Sequence, residues 1–192
     1  MVISVSKKEA SILIPSGKEF LSNKNISDRV YIWILLNGEK NGLDTYIDKK
    51  PRNAYKQIGI QYRTFYKRLD SLVENGYLED CEYSYRVTTN NSEYGRLIYK
   101  DTIQKLYNTG LDNIIKVYVY LGSLYSAYKT DAYFTLQKLS NEVGYLSQKS
   151  SEVNKRIKEI LNKLSELGLV RYCKDTSISE RYHVKYKILE VK

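Results

Sequence analysis

Two stretches decide the fold, RLDSLVENGYLEDCE (Arg68–Glu82) and ILNKLSELGLVRYCK (Ile160–Lys174), because they are two copies of one pattern. Leu69 aligns with Leu161, Leu72 with Leu164, Glu74 with Glu166, Gly76 with Gly168 and Cys81 with Cys173. The offset is constant at 92 (161 − 69 = 92), without a gap. Each copy reads as an amphipathic helix stopped by a glycine, with an apolar strand start directly after it. Further toward the N-terminus, VYIWILL at Val30 parallels VYVYLGSL at Val117, offset by 87 (117 − 30 = 87). The second copy therefore carries about five more residues between its first and third helices. Two related units in one chain follow from this ordered series.

Around these anchors each unit reads alike. In the first, Asp28 is placed to cap an apolar helix through about Asn37, closed by Gly38 and the turn sequence at Asn41-Gly42. A short strand is expected over Leu43 to Ile47, and a second helix from Arg52 to Ile58, opened by Pro51 and broken by Gly59. The third helix is expected over Gln61 to Asn75, with Phe65, Leu69, Leu72 and Val73 on one stripe. Tyr77 to Thr88 and Arg96 to Lys100 read as two strands around the turn NNSEYG.

In the second unit the first helix is expected over Asp112 to Tyr128, followed by a brief strand at Tyr133-Phe134. Thr135 is placed to cap the next helix, which carries Leu136, Leu139 and Val143. Ser150 or Ser151 opens the third, with Val153, Ile157, Ile160, Leu161 and Leu164 inward. Leu169 to Cys173 and Arg181 to Val191 form the closing hairpin. In its last strand Tyr182, Val184, Tyr186 and Ile188 alternate with Arg181, His183, Lys185 and Lys187, one apolar and one basic face.

Helix, short strand, helix, turn, helix, hairpin is the order of a winged helix-turn-helix. The expected class is therefore α+β, mostly helical, with two tandem winged helix-turn-helix domains over 1–107 and 108–192. The chain has 192 residues, 42% of them hydrophobic, enough for two small cores. No apolar run approaches the roughly 20 residues needed to span a bilayer, so no membrane partner is expected. The N-terminal MVISVSKKEA sets a lysine pair after a short apolar stretch, the reverse of a secretory signal. Cys81 and Cys173 are too few for a disulfide framework, and their equivalent positions suggest small packing residues. A cytoplasmic setting is expected.

Charge points to the partner. There are 31 Lys+Arg against 22 Asp+Glu, a net charge of +9, which suits a polyanion. From Lys49 to Leu69, KKPRNAYKQIGIQYRTFYKRL contains Lys49, Lys50, Arg52, Lys56, Arg63, Lys67 and Arg68 and no acid. In a helix-turn-helix this stretch faces the major groove and its flanking phosphates. Arg63 and Lys67 are candidates for guanine edges or phosphate, and Gln61 for adenine. Arg52 and Lys56 are placed for phosphate, while Tyr62, Thr64 and Tyr66 complete the outer faces. Tyr62 and Tyr66 stand apart from the other tyrosines, which fall on apolar stripes, as candidates for stacking.

The second unit is more mixed: Lys149, Lys155, Arg156 and Lys158 stand against Glu152 and Glu159. Gln148, Lys149, Ser150, Ser151, Asn154, Lys155 and Lys158 remain its DNA-binding candidates, joined by Lys174 and Arg181 of the wing and by Lys185 and Lys187 of the last strand. No catalytic constellation, metal site or cofactor is read. His183 is the single histidine, and neither GxxxxGK[ST] nor GxGxxG occurs.

The first unit resembles the N-terminal winged-helix domain of replication initiators from Gram-positive plasmids and phages. The resemblance rests on ILIPSGKEFLS (Ile12–Ser22), ISDRVYIWILLNGEKNGL and the helix QYRTFYKRLDSLVENGYLED, about half the chain. It implies double-stranded DNA as partner, with Gln61 to Arg68 carrying base reading. It does not extend to a helicase- or primosome-contacting domain, which leaves origin marking or transcriptional control as expected roles. Three readings stand: a duplex binder in replication initiation, a transcriptional regulator of the same fold, and a docking module for replication or transcription proteins. A regulator would use a palindromic site and a homodimer, for which the tyrosine-rich helix Leu111 to Tyr128 offers a surface.

Overall fold

A computed structural model describes residues 11–41, 44–88, 95–145, 150–175 and 184–192. The described residues are α+β, with about 52% helix and several small sheets. No described helix is long and apolar enough to cross a membrane.

Strand β1 (Ser11–Pro15) and the short helix α1 (Lys18–Ser22) lead into α2 (Asp28–Asn37). Helix α2 is apolar on every side, and Val30 to Leu35 are all buried, so it runs through the core rather than over it. Its cap is Ser27, whose Oγ accepts the Val30 N–H at 3.4 Å, and not Asp28 as the sequence suggests. Asp28 is 1% exposed and directed elsewhere. Strands β2 (Glu39–Asn41) and β3 (Asp44–Asp48) follow, then α3 (Ala54–Ile58), α4 (Tyr62–Glu74), β4 (Leu78–Asp80) and β5 (Ser84–Val87). The antiparallel sheet runs β2-β3-β5-β4. Phe65, Leu69 and Leu72 form the fully buried stripe of α4.

The chain then departs from expectation. Strand β6 (Gly95–Tyr99) is not an arm of the first hairpin; it pairs antiparallel with β1, Leu13 opposite Leu97. The hairpin is instead β4–β5, closed tightly by the Cys81 N–H on the Ser84 carbonyl at 2.9 Å. The pairing buries Ile12, Ile14 and Ile98 from both strands, a gain no local turn signal announces.

Helices α5 (Lys100–Asn108) and α6 (Ile114–Tyr128), a 3-10 turn (Lys129–Asp131), β7 (Tyr133–Thr135), α7 (Leu136–Glu142), α8 (Ser150–Glu166), β8 (Val170–Lys174) and β9 (Lys185–Val191) complete the chain. Thr135 caps α7 by accepting the Lys138 N–H at 3.1 Å. The third sheet runs β7-β9-β8. A bulge opposite Arg171–Tyr172 lets Ile188 and Val191 both turn inward while Leu189 stays exposed. The order strand, helix, helix, strand, helix, helix, strand, strand thus occurs twice, from β1 to β5 and from β6 to β9, with β2 additional in the first. In each half the last strand is central, β5 between β3 and β4, β9 between β7 and β8.

A polar knot inside the continuous core joins the halves. The Asp28 carboxylate accepts the N–H groups of Asn113 (3.1 Å) and Ile115 (3.2 Å), so it caps the opposite half's α6. Lys116, fully buried, donates to the Asn23 and Ile26 carbonyls, both at 2.9 Å, with its ammonium 5.6 Å from the centre of the Phe20 ring. Burial raises the Asp28 carboxyl pKa against the pull of Lys116, and lowers Lys116 to about 8 against the pull of Asp28. At the same junction Gly144 has φ +85, and an added Cβ would lie 2.8 Å from the Ser22 carbonyl oxygen.

Two further expectations are corrected here. Ile114 to Val119, Leu121 and Gly122 are buried within the chain, so most of α6 offers no surface for a dimer. Cys81 is half-buried in a turn and Cys173 is exposed on β8, so neither packs in a core. Their backbone positions match the repeat, but both side chains lie at hairpins rather than on inward stripes.

Candidate nucleic-acid interface

The surface begins with what α3 and α4 must bury. With Ala54 and Ile58 inward on α3 and Phe65 and Leu69 inward on α4, the remaining positions face out. Arg52, Lys56, Gln61, Tyr62, Arg63, Thr64 and Lys67 are all exposed. Among the described residues, none of Arg52, Lys56, Arg63 and Lys67 has a carboxylate partner, and in the acid-free stretch only Lys49 forms a salt bridge, with Asp80. The first turn of α4 carries no acid and no side-chain cap, so its positive end adds to that field.

Aromatic rings shape the same face. Tyr62 is 55% exposed, and its ring sits 4.6 Å from Tyr66 and 5.5 Å from Tyr55. Lys56 lies 5.9 Å from the Tyr55 ring centre. Tyr66 is half-buried, and burial together with the Tyr62 hydroxyl raises the pKa of its own hydroxyl. Tyr62 alone of the pair presents a free ring to solvent.

Arg68 departs from the base-reading set. It is half-buried, and its Nη1 donates to the carbonyls of Lys24 (3.1 Å) and Asn25 (2.8 Å), tying α4 to the loop before α2.

In the second half Ser151, Lys155 and Lys158 are exposed and Asn154 is half-buried on α8, interleaved with exposed Glu152 and Glu159. Ser150 is the first residue of α8, and Lys174 is exposed at the end of β8. Gln148, Lys149 and Arg181 lie outside the described residues. A groove of about 760 Å³ runs along Lys155, Lys158 and Asn162, walled by Thr109 and Leu111.

Sequence reasoning missed a second feature. Where the halves meet, a cleft of about 380 Å³ is lined by Lys24, Thr64 and Arg68 on one side and Asn113, Tyr145 and Arg156 on the other. The offset of 92 offers a signal for it, since Thr64 and Arg156 are equivalent positions (156 − 64 = 92). Comparison of the chain with family models, with curated proteins and with solved structures finds no match.

Proposed function

We propose that this chain binds double-stranded DNA through two tandem winged helix-turn-helix units, with α4 as the principal reading helix and α8 as the second. The order of elements and the repeated sheet connectivity support the fold reading. The observation that carries the function is the set of four exposed cations without described carboxylate partners, Lys56, Arg63 and Lys67 on the two helices a helix-turn-helix lays against DNA and Arg52 in the turn just before the first of them. A protein-docking surface is usually depleted of lysines at its centre, whereas a duplex backbone presents a phosphate to each such cation. Initiation of plasmid or phage replication is the role in keeping with the sequence resemblance, and transcriptional control uses the same surface.

The test is duplex binding across a salt series. Four phosphate contacts at about 0.9 each contribute about −3.6 to the slope of log affinity on log salt. In the double variant Arg63→Ala/Lys67→Ala the slope becomes shallower by about 1.8. No binding at about 50 mM salt, or an unchanged slope in the variant, refutes the assignment.

A further inference from the structure

We infer that the cleft between the two halves is a phosphate-binding site, distinct from the Arg63 and Lys67 positions of α4 and bordered by Thr64. Its walls are built from equivalent parts of each half. Ile60 and Tyr145 each follow the glycine that ends a second helix, and Thr64 and Arg156 hold matching places on α4 and α8. The lining carries three cations, Lys24, Arg68 and Arg156.

Of its two acids, Asp28 is occupied within the core and Asp112 is solvent-exposed with a cation beside it. Both Asp28 oxygens accept backbone N–H groups beside the buried Lys116 ammonium, and Asp112 lies 3.7 Å from Arg29. Among the described residues Lys24 and Arg156 have no carboxylate partner. Arg68 is held in place through Nη1 alone, which leaves the rest of its guanidinium fork as donor. Thr64 and Asn113 add neutral donors. Three cations and short polar donors lining a concave space suit a phosphate dianion, and a volume of 380 Å³ admits a ligand up to the size of a mononucleotide.

Two sources supply that chemistry: the DNA backbone, drawn between the two reading helices, or a free phosphorylated small molecule that bridges the halves. The first source rests on the DNA reading and the second does not. Inorganic pyrophosphate is the probe. With full-length protein and no DNA, it is expected to raise Tm saturably in the wild type. Lys24→Gln/Arg156→Gln should abolish that rise, while Arg63→Ala/Lys67→Ala should keep it. Both replaced residues are exposed, so the variant is expected to fold.

The salt series on duplex DNA then separates the sources. A slope about one unit shallower in Lys24→Gln/Arg156→Gln identifies a DNA phosphate, provided that any pyrophosphate response of the wild type is lost in that variant. An unchanged slope beside a lost pyrophosphate response identifies a free ligand. A pyrophosphate response that survives the double variant overturns the site, as does the absence of both effects. If duplex binding fails altogether while the pyrophosphate response behaves as expected, the DNA reading falls and the cleft stands.

Discussion

Replacing Asp28 by Ala removes a carboxylate that serves the opposite half of the chain. Two N–H groups at the start of α6, those of Asn113 and Ile115, lose their acceptor. An orphaned buried donor costs roughly 1–3 kcal/mol. The change also removes the carboxylate whose field offsets the desolvation of the fully buried Lys116 ammonium. With two such donors the expected destabilisation is about 4 kcal/mol, a large part of the roughly 5–15 kcal/mol that holds a domain together. Ser27→Ala is the internal standard, since it removes only the side-chain cap of α2, at about 1 kcal/mol.

Urea unfolding followed by fluorescence of Trp33, which is only 4% exposed, reports both variants. Asp28→Asn, which keeps one acceptor oxygen, should fall between them. Equal midpoints for Asp28→Ala and Ser27→Ala would show that Asp28 behaves as an ordinary residue of its own helix, and the cross-half cap would be refuted.

Lys116 makes the same knot sensitive to pH. Its folded pKa is lowered from 10.5 to about 8, so between those values the unfolded chain holds a proton that the folded chain has released. Stability from this group therefore rises with pH across that window and is lost as pH falls through about 8. Relative to Lys116→Met, the wild type should gain up to about 3 kcal/mol between pH 8 and 10.5, and parallel pH profiles would refute it. Gly144→Ala forces a Cβ to within 2.8 Å of the Ser22 carbonyl at φ +85; it should cost at least about 2 kcal/mol in the same urea assay, and a cost under about 0.5 kcal/mol would refute the close approach.

The helices were legible because their signals are local. Stripe and stop glycine placed the third helix of the first unit at Gln61 to Asn75, and α4 runs Tyr62–Glu74. Thr135 was readable as a cap from its neighbours alone. The exposed cations of α3 and α4 followed as the complement of the buried stripe. What escaped depends on residues far apart in sequence. Asp28 looked like the cap of its own helix because nothing near it shows Asn113 arriving. Arg68 looked outward because the carbonyls of Lys24 and Asn25 come from a loop more than 40 positions earlier. Strand β6 followed a turn signal and so seemed to belong to the preceding hairpin, whereas its partner β1 lies across the whole first half. The cleft gathers side chains from Lys24 to Arg156, a combination no window of sequence contains.

The β1–β6 ribbon carries a consequence for how the molecule is held together. Its strands occupy the same place in each half, and Leu13 meets Leu97, so the two halves greet each other as the protomers of a symmetric dimer do. Here one peptide chain supplies both protomers. On the reading proposed above, the pair cannot be separated by dilution, and its assembly owes nothing to protein concentration. Neither half is bound to copy the other, as identical subunits must. On that same reading α4 keeps bare cations over its first two turns while α8 sets carboxylates among its own, so a single chain would suit a DNA site whose two sides differ.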